Sequence, residues 1–437
     1  MTHGLTRPCP FADPQTIARG NCQYDVGRLG LATTEQRVIR VFHVLCFTKY
    51  EIVVARMGQN VLKLPRMKNK NPFVIYGYEG PDTFCDRKAE TEKLKAAVEN
   101  GRNVTLLAER RIGKTGLIKH LFDVLGRKRR FATIYVDIFS TSSLLDFTSC
   151  LAGAVIGSMD SRLDKAMTAA SRFFKSFRPS ISVDSVTGTP SFSFGLEPHN
   201  VEATLRECFD CLGSRGECVV AIDEFQQIGT YPEKGTEALL RSYVQFLPNT
   251  RFIFAGSRHH MMVEMFASAK RPFFNSTQTV PLDRLAQDVY FAFAKKKMSA
   301  VAELSREVFD RIYSMFDGIT WYVQTVLNRL YERRSATEAD VNAAIEELLI
   351  EKTWEYAALL KSLPDGAARL MKAIAREGVA KAVTSGKFIA VHSLRAASSV
   401  NLSLKKLLED ELLYETDEGY VVYDRLFGFW LARLPKS

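Results

Sequence analysis

Lys114, Thr115, Asp223 and Glu224 carry the chemistry this sequence offers. Gly113-Lys114-Thr115 matches the closing part of the phosphate-binding pattern G-x-x-x-x-G-K-[ST]. In that pattern the loop's backbone N–H groups wrap phosphates, the lysine reaches the β- and γ-phosphates, and the hydroxyl ligates Mg²⁺. The loop reads Ala108, Glu109, Arg110, Arg111, Ile112, Gly113, Lys114, Thr115, with Gly116 next, and Ala108 stands where the pattern has its first glycine. About a hundred residues on, the apolar run Val219-Val220-Ala221-Ile222 ends in Asp223-Glu224. An aspartate at that place can hold Mg²⁺ through water. The acid after it can activate water for attack on a γ-phosphate. Ser257, at the end of a further apolar run, is placed to contact that phosphate or that water. Each half recurs by chance: Gly-Lys-Thr is common, and strands often run into acidic helix starts. The two together, each behind an apolar run, point to one Mg-ATP site.

Such a site needs parallel strands ending side by side. Five runs read as strands: Val104 to Leu107, Ala132 to Ile138, Cys218 to Ile222, Arg251 to Ala255 and Thr277 to Leu282. Helical stretches separate them, which argues a parallel sheet in three layers. The loop opens into a helix from Leu117. A helix over Phe84 to Leu94 precedes it, with Asp86 as N-cap. Ser140 to Phe177 and Gly235 to Phe246 read as helical, and helices continue from the fifth strand to Ser362. Ser180 to Asp184 and Pro190 to Gly195 alternate about Thr187-Gly188, a hairpin inserted into the core. After Pro364 come helices at Ala367 to Arg376 and Ser398 to Leu408. A two-stranded ribbon follows, Leu412 to Glu415 with Gly419 to Tyr423, the layout of a winged helix.

At 437 residues, with 46% hydrophobic and 25% charged content, the chain suits two or three globular domains. No stretch approaches 20 uninterrupted apolar residues, so no membrane partner is expected. Eight scattered cysteines read as a reducing, cytoplasmic setting. Cys208, Cys211 and Cys218 lack a second pair at zinc spacing and read as buried thiols. The net charge of +10 suits an acidic partner without demanding one, because Arg127 to Arg130 and Lys295 to Lys297 read as solvated turns.

The order and spacing of these segments resemble the archaeal-type ATPase family of P-loop proteins, related to the AAA-type and STAND groups. The residues that carry the likeness are Phe84-Cys85-Asp86-Arg87-x-x-Glu90, Arg110 to Thr115, Asp223-Glu224-Phe225-Gln226, Phe254 to Ser257, Gly318 to Gln324 and Tyr423-Asp424-Arg425-Leu426-Phe427-x-x-Trp430-Leu431. The resemblance implies strand order 5-1-4-3-2, a helical lid and a winged helix, with Asp86 and Arg87 near the adenine. The expected division is core 67–284, lid 285–363 and winged helix 364–437. Two departures stand out: Ala108, and Gly318-Ile319-Thr320 where many relatives have Gly-x-Pro.

The expected function is binding and hydrolysis of Mg-ATP, slow or partner-stimulated, as a conformational switch. Lys114, Glu224 and Ser257 serve catalysis, and Thr115 and Asp223 hold the metal. Arg110 and Arg111 touch phosphate or position Glu224, or else pair with nearby acids; Arg258 and Arg271 are candidate transition-state arginines. The alternative is a nucleotide-modulated DNA-binding protein. From Asp365 on, eleven Lys and Arg face nine Asp and Glu, a balance too even for strong phosphate binding. An intramolecular or protein contact is therefore the leading role of the winged helix, and the oligomeric state stays open. Trp321, Trp354 and Trp430 are expected in the core. Residues 1–66 show no long amphipathic element and are expected to be poorly ordered, or an extension from an upstream start. Mass spectrometry of natively expressed protein is expected to find few peptides from residues 1–60; abundant ones would overturn that reading.

Overall fold

Strands that are apolar on both faces must be covered on both, and the sheet here follows that demand. The computed structural model describes residues 70–127, 130–159, 179–183, 190–194, 198–257 and 259–435. The expectations for residues 1–66, for the helix beyond 159, for Thr187-Gly188 and for Arg258 lie outside these residues. Everything described belongs to one unit, Asn69–Ser437.

The chain runs α1 (Lys88–Glu99), β1 (Val104–Ala108), α2 (Lys114–Gly126), β2 (Ala132–Asp137) and α3 (Leu144–Gly157). The hairpin β3 (Pro179–Val183) and β4 (Pro190–Phe194) is antiparallel. Then come α4 (Val201–Gly213), β5 (Cys218–Asp223), α5 (Thr236–Val244), β6 (Thr250–Gly256), α6 (His259–Ala267) and β7 (Gln278–Leu282). The five core strands pair in parallel in the order β2-β5-β6-β1-β7. Counted within the sheet this is 2-3-4-1-5, the expected 5-1-4-3-2 seen from the other edge. Every residue of β5 is buried. Its side chains alternate: Val220 and Ile222 join a cluster with Phe147, Leu205 and Phe252, while Val219 and Ala221 join Leu106, Leu117 and Ile253 on the opposite face. That alternation gives the three layers.

The lid comprises α7 (Gln287–Met298), α8 (Arg306–Met315), α9 (Thr320–Arg333) and α10 (Glu338–Ser362), and α10 begins with a Thr337/Asp340 capping box. The winged helix comprises α11 (Asp365–Glu377), α12 (Gly386–Val391), α13 (Ala397–Glu409), β8 (Leu413–Thr416), β9 (Gly419–Val422) and α14 (Arg425–Arg433). Ala380 pairs with Tyr420 as a third arm of the wing. One apolar cluster runs through lid and winged helix, from Phe73 by way of Tyr322 to Leu431. Tyr356, late in α10, lies 5.0 Å from Phe427 and 6.0 Å from Trp430, ring to ring.

Three expectations are corrected. The first helix starts at Lys88, not Phe84, because Asp86 and Arg87 sit at φ 52° and 58°. Asp86 is not its cap: Arg87 occupies that position, without a side-chain capping bond to the helix amides. Trp354 is 80% exposed. It lies two residues from Tyr356, about 200° round the helix, so the face that meets α14 turns Trp354 outward. Trp321 and Trp430 do pack against the core cluster. Among the described residues, no helix is long and apolar enough to cross a membrane.

Gly256 closes β6 where a Cβ would overlap the Gln226 Oε1 atom and the Met262 side chain. Gly256→Val is expected to cost about 1–3 kcal/mol by overpacking, read as a lower urea midpoint. An unchanged midpoint would show that the contact gives way freely.

Candidate functional site

The parallel order brings the carboxyl ends of β1, β5 and β6 side by side, and the chemical residues gather there. β1 runs through Ala108, which is buried in the core, so the turn begins only after it. Arg111 takes φ 67° and Gly113 φ 102°, and Gly113 caps α2. A side chain would strain that left-handed cap, which accounts for the glycine. The amides at the start of α2 thus face the loop, a ready anion site. Lys114 follows at once and is only 6% exposed.

Two hydroxyls converge on the β5 carboxylate. Thr115 Oγ1 donates to Asp223 Oδ2 at 2.7 Å, and Tyr135 of β2 donates to the same oxygen at 2.8 Å. A hydroxyl and a carboxylate in contact, both hard oxygen donors, suit Mg²⁺. Glu224 comes next at φ 57°, a left-handed position that turns the chain sharply out of the strand. Its Oε2 accepts from Ser257 at 2.6 Å and from Gln226 at 2.6 Å. Burial pushes the Glu224 carboxyl up. The Lys114 charge, the bonds from Ser257 and Gln226 and the nearby Arg110 outweigh it and hold it below its ordinary value. Burial lowers the Lys114 ammonium, while Glu224 and Asp223 partly restore it.

Arg110 and Arg111 reach out of the loop to the winged helix. Arg110 Nε donates to Ser257 Oγ at 3.2 Å, its NH2 lies 3.1 Å from Glu411, and its backbone N–H donates to the Tyr423 hydroxyl at 3.1 Å. Arg111 pairs with Asp424 at 2.9 Å, bonds the Tyr322 hydroxyl, and lies over the ring of Trp321 at 4.8 Å. The backbone N–H of Trp321 donates to the Arg111 carbonyl at 3.0 Å. A cavity of about 460 Å³ runs from the loop to the lid.

Of the expected binding residues, Arg87, Arg110, Arg111, Ile112, Gly113, Lys114, Thr115 and Gly116 line this cavity, as does Glu224. Asp223 and Ser257 stand behind them through the bonds above. Three expected contacts lie elsewhere. Ala108 faces the core, Glu109 pairs with Arg284 at 3.3 Å, and Asp86 is exposed on the turn before α1. Arg87 is buried, bonding Glu90 at 2.8 Å and the Ile112 carbonyl at 3.4 Å. Arg271 is held by Glu237 and by Glu264 at 3.5 Å, away from the cavity. The cysteines 208, 211 and 218 are buried free thiols, and burial pushes the Cys218 thiol up to about 11.

Sequence reasoning missed Tyr135, Arg284 and Tyr322. Tyr135 lies two residues before the end of a recognised strand, on the side shared with Asp223, and register reasoning could have found it. Arg284 joins Glu109 to the lid residue Asp317, at 2.5 Å, and no local pattern signals that pairing.

A family model described as an ATPase domain predominantly from Archaea matches residues 84–326. A model described as "Probable winged helix domain" matches residues 354–433. Among solved structures, the chain is similar to the Walker-type ATPase PABY2304 of Pyrococcus abyssi, at 20% identity and TM-score 0.59, over 82% of this chain and 99% of that one. It is also similar to the ORC2 protein of Aeropyrum pernix in its ADPNP–ADP complexes, at 14% identity and TM-score 0.51, over 84% and 96%. At these identities the likeness is one of fold. No curated protein matches the chain.

Glu411→Gln combined with Tyr423→Phe removes two grips of the winged helix on Arg110. Half-exposed contacts of this kind are worth about 1 kcal/mol together. Amides of β8, β9 and α14 are therefore expected to exchange about fivefold faster by hydrogen-exchange mass spectrometry. Unchanged exchange would mean that these contacts do not hold the domain.

Proposed function

The chain belongs to the family of ATPase domains found predominantly in Archaea, and on that premise we propose that it binds and hydrolyses Mg-ATP as a conformational switch. The observation that carries this reading is the convergence of Lys114, Thr115, Asp223 and Glu224 at one end of the cavity. The working division is a core over 67–284, a lid over 285–363 and a winged helix over 364–437.

In this reading the α2 amides and Lys114 bind the β- and γ-phosphates. Thr115 and Asp223 hold magnesium, which supplies charge neutralisation to the phosphates when bound. Tyr135 orients the Asp223 carboxylate. Ser257 and Gln226 both bond Glu224 Oε2, which fixes the carboxylate plane and leaves Oε1 to accept a proton from the attacking water. The lowered pKa of Glu224 keeps it ionised near neutral pH, as a general base requires.

Phosphate also competes for Arg110 and Arg111, because guanidinium groups bind phosphate and carboxylate in the same bidentate manner. Nucleotide arrival would draw these arginines from Glu411 and Asp424 and so change the hold on the winged helix. The DNA-binding alternative draws less support from the geometry. On α13, Lys405 lies 3.9 Å from Glu409 and Lys406 lies 3.0 Å from Asp410, which partly neutralises the helix that would enter the groove. Salt-dependent duplex binding that persists in Lys114→Ala would reverse that preference.

The test is nucleotide binding and turnover in two variants. Lys114→Ala is expected to lose ATP binding. Glu224→Gln is expected to bind ATP and turn over about 10²- to 10⁴-fold more slowly. Hydrolysis by Glu224→Gln at the parent rate would remove Glu224 from its role.

A further inference from the structure

Trp354 is 80% exposed, and Ile350, one turn before it on α10, is 72% exposed. Scattered singly, such residues need no explanation; two large apolar side chains together on one helix face do. They belong to a longer stripe. Ala343, Glu347, Ile350, Trp354, Ala357 and Lys361 follow one another at spacings of 4, 3, 4, 3 and 4 residues. At about 100° per residue they fall within about 80° of the helix circumference. This is the seam spacing of a two-stranded coiled coil. The other side of α10 is taken up by the core, where Val341, Ala344, Leu348 and Tyr356 are buried. The members of the stripe from Glu347 to Lys361 are exposed, and none of the six lines the cavity.

The charges on the stripe decide how a partner lies on it. Glu347 stands near its start, beside Glu346, and Lys361 ends it. Glu347 pairs with Arg333 and stays half-exposed, and the two oxygens of a carboxylate accept from more than one cation. Lys361 is exposed and, among the described residues, makes no ion pair. A second α10 laid parallel sets Glu347 against Glu347 and Lys361 against Lys361. Laid antiparallel about the midpoint of the stripe, it sets Lys361 against the partner's Ala343, within reach of the partner's Glu347 one turn along. The same arrangement sets Ile350 against the partner's Trp354, twice over by the two-fold symmetry. The stripe is therefore complementary to itself in the antiparallel sense, with an apolar centre between opposite charges.

We propose that the outer face of α10 is a docking surface for a second copy of this chain, the two helices packing antiparallel with Ile350 and Trp354 at the centre. A seam of 19 residues is about 28 Å long. One helix face of that length lies at the small end of specific interfaces, so the dimer is a weak one. The interface stands apart from the cavity and does not depend on what the cavity binds.

The test is sedimentation velocity of the full chain from about 1 to 200 µM, a range that brackets weak association, with thermal melts to check folding. The parent is expected to pass from monomer to dimer within that range. Trp354→Ala, which removes an exposed side chain, is expected to raise the dissociation constant about tenfold or more. Glu347→Lys and Lys361→Glu each bring like charges together and are expected to raise it about fivefold. The variant carrying both exchanges the charges and should return to within about twofold of the parent. A parent that stays monomeric throughout, or a dimer that persists unweakened in Trp354→Ala, overturns the inference. So does a double variant as weak as the single ones, the result that a parallel pairing or a contact elsewhere would give.

Discussion

The hydrogen bond from Thr115 to Asp223 joins segments 108 residues apart, and the site depends on it. It forms because β1 and β5 end within two residues of the same level of the sheet, with β6 between them. Parallel pairing in register sets that level. Val104 opposes Ile253 and Ala221 opposes Ile253, so both strands are measured against one residue of β6. A one-residue slip in either pairing would send alternate side chains to the wrong layer and part the two motifs. The apolar alternation of β5 and β6 therefore does two things at once. It builds the core, and it holds a hydroxyl and a carboxylate at bonding distance.

The contacts between loop and winged helix divide into two kinds, and their magnitudes separate the roles. The Arg110–Glu411 and Arg111–Asp424 pairs involve arginine side chains 34% and 35% exposed. Solvent screening leaves such pairs about 0–1 kcal/mol each. The apolar contacts are larger: Phe316 of the lid meets Phe429 of α14, and Tyr356 meets Phe427, within one continuous cluster. Burial of an aromatic or aliphatic side chain is worth about 1.5–3 kcal/mol. The winged helix is thus held mainly by its apolar contact with the lid, while the ion pairs tie its position to the loop. In the proposed switch a weak contact suits that second role, because phosphate would displace it without unfolding the cluster.

Much of this was legible in the sequence wherever a local pattern carries the information. The five strands, the loop, Asp223-Glu224 and the terminal ribbon are short-range signals of apolar run, turn and charge. The misses share a different origin. Asp86 looked like a cap because acids favour helix starts, but the chain enters α1 through two left-handed residues that tertiary contacts impose. Buried Arg87 anchors one of them on the Ile112 carbonyl. Trp354 looked like core because tryptophan usually is, but a helix shared by two subdomains buries a different face at each end. Tyr135 lay within reach of strand register, whereas Arg284 and Tyr322 act across subdomains, where no spacing rule reaches them.

Both departures from the family pattern also gain a physical reading. The strand continues through residue 108, and its side chain packs in the core with Leu106 and Ile253. The tight part of the turn falls at Arg111 and Gly113, so a methyl group at residue 108 meets neither the cavity nor a left-handed backbone. At residue 320 the change has the opposite character. A threonine there leaves a buried hydroxyl without a partner. A substitution that fills the core can be neutral; one that buries an unpaired polar atom is costly unless a ligand meets it. That asymmetry makes Ala108 a neutral variation of the scaffold, while the buried hydroxyl of Thr320 carries a cost in stability.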